Sequence, residues 1–111
     1  MSREEKCSQR IEKELRGRIQ DFKAALEEAE KEEDFDFYDW INENALAYDD
    51  DPYYRAKRLE LSYGGPQDYF LFFEDGTIEY HFLDWFDGAK ITLEGEDYKI
   101  MEQVRDLLGI D

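Results

Sequence analysis

Two aromatic-rich runs, "DYFLFFE" at 68–74 and "TIEYHFLD" at 77–84, stand on either side of Asp75-Gly76. An Asp-Gly pair between such runs is the strongest short-range hairpin signal, because Gly takes the positive φ that tight hairpin turns require. A two-stranded hairpin is marginal by itself in water, so this one demands further strands and a covering layer. Both are in the chain. Leu59, Leu61 and Tyr63 alternate with Arg58, Glu60 and Ser62, which predicts a strand before the hairpin. "GGP" at 64–66 supplies the turn between them. In the second run Ile78, Tyr80 and Phe82 share one face while Glu79 and His81 share the other. "DWFDG" at 84–88 reads as a further turn into a fourth strand, "AKITLE". Most of the aromatic side chains then fill a core between sheet and helices, as aromatic enrichment in strands suggests.

The covering layer is legible as a change of period from 2 to 3.6. Cys7, Ile11, Leu15, Ile19, Phe22, Leu26 and Ala29 form one apolar stripe, predicting a helix over 3–31 with Ser2 as N-cap and Glu5 completing a capping box. Gly17 inside it costs roughly 1 kcal/mol relative to Ala, which points to a kink or a close contact. A second helix starts at Asp34 or Asp36 and buries Phe37, Trp40, Ile41, Ala45 and Tyr48, with Asp49, Asp50, Asp51 and Pro52 ending it. "EDYKIMEQVRDLLG" closes the chain as a helix whose apolar face is Tyr98, Met101, Val104, Leu107 and Leu108, stopped at Gly109. The order α-α-β-β-β-β-α predicts an α+β fold: two N-terminal helices, a four-stranded antiparallel meander and a C-terminal helix. The 111 residues make a single domain, 1–111, in which 1–23 can project as the end of the long helix.

Composition then restricts function. A net charge of −16 accompanies 41% apolar and 16% aromatic residues, which excludes a disordered acidic tail. One Cys and one His exclude an internal disulfide and a zinc site of the usual Cys and His ligands. No apolar run is long enough to span a membrane, and "MSREEKCSQR" lacks the apolar core of a signal peptide, so a soluble, cytoplasmic protein is expected. Nucleic acid and anionic membranes would repel most of its surface.

Catalytic signatures are missing. His81 has only Glu79 near it in sequence and reads as a surface cross-strand residue, and Cys7 belongs to the helix stripe. Asp49, Asp50 and Asp51 are consecutive, unlike calcium loops, whose ligands alternate around a glycine. No phosphate-binding loop, dinucleotide fingerprint or nucleophile elbow is present. The expectation is a non-enzyme without cofactor or metal.

Charge placement is more specific. Residues 1–23 carry seven bases and five acids, whereas 24–54 carry twelve acids and a single base, Lys31. Carboxylates three or four apart on a helix stand about 5–6 Å from one another. Duplex DNA carries a charge every ~1.7 Å of axis, or ~3.4 Å along one strand, so an acidic helix beside acidic neighbours offers a comparable ladder. Glu27, Glu28, Glu30, Glu32, Glu33, Asp34, Asp36, Asp39, Asp49, Asp50 and Asp51 are the residues placed to mimic phosphates toward a basic, nucleic-acid-binding host protein.

The motifs "LELSYGGPQDYF" and "EYHFLDWFDGAKITLEGEDY", within 59–97, resemble a family of small acidic proteins encoded on phages, plasmids and other mobile elements. The resemblance covers under half the chain and implies a genomic setting. By analogy with small acidic inhibitors from such elements, it implies an anti-CRISPR or anti-restriction type of activity.

Two further surfaces compete with the acidic one. In a meander, the turns at 63–66 and 84–88 fall at the same end of the sheet, so Asp84, Trp85, Phe86 and Asp87 beside Gly64, Gly65 and Pro66 are either a partner-binding patch or two separate turns. The apolar stripe of the long helix could pair with a second copy, making the protein a homodimer or a non-enzymatic interaction module.

Overall fold

The computed structural model describes residues 6–84 and 87–109. Helix α1 (Cys7–Lys31) leads into a short α2 (Phe37–Asn44). Five strands follow, β1 (Ala47–Asp50), β2 (Ala56–Ser62), β3 (Gln67–Phe73), β4 (Ile78–Asp84) and β5 (Asp87–Thr92), and then α3 (Gly95–Leu108). The fold is α+β, with one antiparallel sheet in the order β1-β2-β3-β4-β5 and the described helices all on one face.

The sheet has five strands where four were expected. Ala47–Asp50, read as the tail of the second helix, pairs with β2 in the register Asp49↔Arg58. The acid-rich segment that ends in Pro52 therefore forms an edge strand, while α2 stops earlier, at Asn44. Ala45 and Tyr48 consequently leave the helix face assigned to them, although both still pack against the core. The fourth expected strand is β5 and begins two residues early, at Asp87.

The α1 stripe holds at Cys7, Ile11, Leu15, Ile19, Phe22 and Leu26, which are buried; Ala25 joins them, and Ala29, assigned to the stripe, is only half-buried. Within 1–23, the stretch suggested as a projecting end, Cys7, Ile11, Leu15, Ile19 and Phe22 belong to the core against the sheet. The Ser2–Glu5 cap lies outside the described residues, and the helix entry that is described has Lys6 N–H donating to Gln9 Oε1 at 2.9 Å. A Cβ at Gly17 would meet nothing within 4 Å, so no close contact explains that glycine. Phe22 sits edge-on to Trp40 of α2 (5.2 Å) and Phe70 of β3 (5.9 Å), tying both helices to the sheet centre.

At the hairpin, Phe73 and Thr77 close a three-residue loop with Gly76 at φ 94°, and Thr77 N–H donates to Asp75. Gly109 ends α3 at φ 76°. Leu107, assigned to the buried face of α3, is 38% exposed; Ile100 is buried there instead. No described helix is long and apolar enough to cross a membrane.

Candidate functional site

Acidic side chains in this molecule fall into two groups, those held by the protein's own donors and those left to solvent. The most enclosed is Asp68, 1% exposed, at the start of β3 beneath α1. Arg18 reaches it through two guanidinium nitrogens, at 2.7 and 3.0 Å, and Tyr80 donates its hydroxyl at 2.6 Å. The ladder skips a residue between Glu60 and Ser62, and this bulge turns Ser62 to the helix side, where its hydroxyl also donates to Asp68. Burial, then the bond to Asp68, pushes the Tyr80 phenol far above its ordinary range, so it keeps its proton and remains a donor.

A second network lies on the helix-free face. The Arg58 guanidinium sits 4.0 Å over the Tyr69 ring, and Tyr69 stacks on His81 at 5.0 Å. Glu60 and Asp51 pair with Arg58, and Glu79 bonds His81 at 2.9 Å. His81 is 9% exposed, and in this it departs from the surface residue expected. Alternation predicted its face, but not that Tyr69, directly across the ladder, would cover it. Neither network was found from the sequence, since each joins residues that only the strand register brings together.

At the entry to α1, Asp87 accepts the Cys7 N–H at 2.7 Å and Asp84 pairs with Arg10. The Cys7 N–H holds the Asp87 carboxyl below the usual carboxylate range. Burial and the Asp87 charge push the Cys7 thiol up, which keeps it protonated and unreactive at neutral pH. The turns at 63–66 and 84–88 do share one end of the sheet, and a Cβ on Gly65 would stand 4.0 Å from Asp84. Asp84 and Asp87 nevertheless hold α1 in place, which weakens the aromatic–acidic patch; Trp85 and Phe86 lie outside the described residues.

The segment 27–50 is different. Glu27, Glu28 and Glu30 line the exposed end of α1, Glu32, Glu33 and Asp34 the following loop, and Asp36 and Asp39 the start of α2; all are exposed. Asp36 also caps α2, accepting from Tyr38 N–H (2.9 Å) and Asp39 N–H (3.3 Å). Asp49 and Asp50 are exposed on β1, the latter paired with Lys57 at 2.7 Å. Asp51 does not belong to this surface. It is 7% exposed and accepts from Tyr53 N–H, Tyr54 N–H and Arg58, holding the β1–β2 loop. Among the described residues no cation pairs with Glu27, Glu28, Glu30, Glu32, Glu33, Asp34, Asp36, Asp39 or Asp49.

One other expectation meets the geometry here. The α1 stripe is consumed by the core, so it offers no free apolar face to a second copy. No group of three or more His, Cys, Asp or Glu is placed to hold a metal among the described residues. An open cleft of about 620 Å3 between β1–β2 and the end of α3 is lined by Arg55 and Lys57 against Asp50 and Glu74, a balance that favours neither sign of ligand. Comparison with protein-family models, curated proteins and solved structures gives no match.

Proposed function

We propose that the protein is a non-enzymatic inhibitor of host defence, of the anti-CRISPR or anti-restriction type, that occupies the basic groove of a nucleic-acid-binding protein in place of nucleic acid. The carrying observation is the run of exposed carboxylates along the end of α1, the 32–36 loop and α2, none of them paired with a cation among the described residues. Asp51, Asp68, Asp84 and Asp87, by contrast, are held by the chain's own donors. The position of the run also supports this reading. Glu28 and Glu30 stand in the last turn of α1, where the helix dipole already places negative charge, at a cost of about 0.3–1 kcal/mol each. A cationic groove would offset both that cost and the mutual repulsion, and would be found by fast, electrostatically steered association.

The test is capture of the target from host lysate, followed by displacement of nucleic acid from the captured protein. Glu30→Gln, Glu33→Gln and Asp36→Asn together should abolish capture, with Asn preserving the α2 cap. Capture should also fade as salt shortens the Debye length from about 8 Å to about 3 Å. Binding that survives both the triple substitution and high salt would overturn the reading.

A further inference from the structure

The free edge of β1 adds something that charge alone does not. Asp51 N–H donates to Ala56 C=O at 3.0 Å, and antiparallel ladders turn alternate residues toward the partner strand. Ala47 and Asp49 therefore face β2, and the N–H and C=O of Tyr48 and Asp50 face outward, with no strand beyond them among the described residues. Such a row is a template for pairing with another chain, and proteins commonly guard it with lysine. β5, the opposite edge, has that guard: Leu93 N–H bonds Ile78 C=O, so Gly88, Lys90 and Thr92 face outward there. β1 carries Asp49 and Asp50 instead, continues from the acidic α2, and has Leu46 (63% exposed) just before it and Tyr53 (88% exposed) just after.

We propose that the β1 edge takes an extended, Lys- and Arg-rich segment of the partner as a sixth strand. The inference rests on the reading above that the partner is basic. The backbone of Tyr48 and Asp50 would supply the hydrogen bonds, and Asp49 and Asp50, on opposite faces of the sheet, would meet cationic side chains of either alternation. A second copy of this chain is the poorer occupant, because its own Asp49 and Asp50 would oppose these. A basic strand at β5 would meet Lys90.

A synthetic peptide of alternating Lys and Val, about eight residues long, serves as the probe, with a control of equal charge carrying Pro in place of Val. The Lys–Val peptide should bind and slow amide hydrogen exchange at Tyr48 and Asp50 at least about tenfold, whereas the Pro control should not. Asp50→Pro should abolish that binding, while Asp50→Asn should only weaken it. The Asp50 N–H makes no bond to β2, so Pro removes nothing from the ladder. Equal binding of both peptides without slowed exchange would overturn the edge proposal and leave the charge reading standing. Slowed exchange at these positions without peptide, rising with protein concentration, would also overturn it, in favour of self-pairing. Failure of both peptides, with target capture still sensitive to the Glu30, Glu33 and Asp36 substitutions, would sink the edge proposal alone. Failure of both peptides with capture insensitive to those substitutions would remove the underlying reading as well.

Discussion

At the start of α1, Asp87 accepts the Cys7 N–H and Asp84 pairs with Arg10; at its finish, Glu28 and Glu30 face solvent and pair with no cation among the described residues. The first arrangement follows the helix dipole, and the second opposes it. α3 places Glu96 and Asp97 in its first turn and Arg105, beside Asp106, in its last, whereas the last turn of α1 sets a single base, Lys31, against Glu28 and Glu30. The difference separates two uses of acidic side chains. Some are structural members with donors of their own, and some are held ready for donors that belong to another molecule.

The comparison breaks most easily at Asp68. If it is structural, Asp68→Ala strands Arg18 and Tyr80 near the core and should lower unfolding free energy by about 3 kcal/mol in urea denaturation. That is the low end for a buried pair, because Arg18 keeps 29% of its side-chain surface exposed. A loss under about 1 kcal/mol would show that even the best-enclosed acid is dispensable, and the division would fail.

The three consecutive aspartates give a sharper version at closer range. Asp51→Ala leaves two loop N–H groups and Arg58 short of an acceptor and should cost about 2 kcal/mol. Asp49→Ala, two residues away and exposed, should fall within about 0.5 kcal/mol of wild type by the same denaturation measurement.

These contrasts also show what could be read from the chain. Local signals served well: the α1 stripe, the Asp75-Gly76 turn and the Gly109 stop each act within a few residues. β1 was missed because its four residues, Ala47–Asp50, lie at an edge where no buried face imposes alternation, and acids beside Pro52 look like a helix stop. Of the acids singled out between 27 and 51, all are exposed except Asp51. Asp51, Asp84 and Asp87 look the same as Asp49 in sequence, and only long-range partners such as Arg10, or the loop closure at Tyr53 and Tyr54, distinguish them. Asp68 and Arg18 are 50 residues apart, and nothing local says that they meet.

For Asp87 the readout is pH. Its folded-state pKa is depressed, so its contribution is fully present above the unfolded Asp value of about 3.9 and is lost as pH falls through the folded value. Asp87→Asn keeps an oxygen for the Cys7 N–H but removes the charge. Thermal melts below about pH 4 should show a shallower loss of stability than wild type, with the two converging at the acid end. Parallel curves would mean that the carboxylate is not part of the α1 entry, and would return Asp87 to the candidate patch beside Asp84.

The smallest effect should appear on the unpaired side, and its sign matters more than its size. Glu28→Gln together with Glu30→Gln removes two negative charges from the C-terminal turn of α1 and breaks no ion pair found among the described residues. Unfolding free energy at low salt should therefore rise, by about 0.5 kcal/mol in total. Because the term is electrostatic and exposed, the difference from wild type should shrink toward zero near 1 M salt, where the Debye length is about 3 Å. Substitutions at paired acids such as Asp68 should show no such convergence, since buried pairs are screened far less. A fall in stability on removing Glu28 and Glu30 would mean that these carboxylates have a structural partner after all, and both ends of α1 would then follow one rule. A rise would mean that the protein retains charge that lowers its own stability, as expected of a surface whose partner is another molecule.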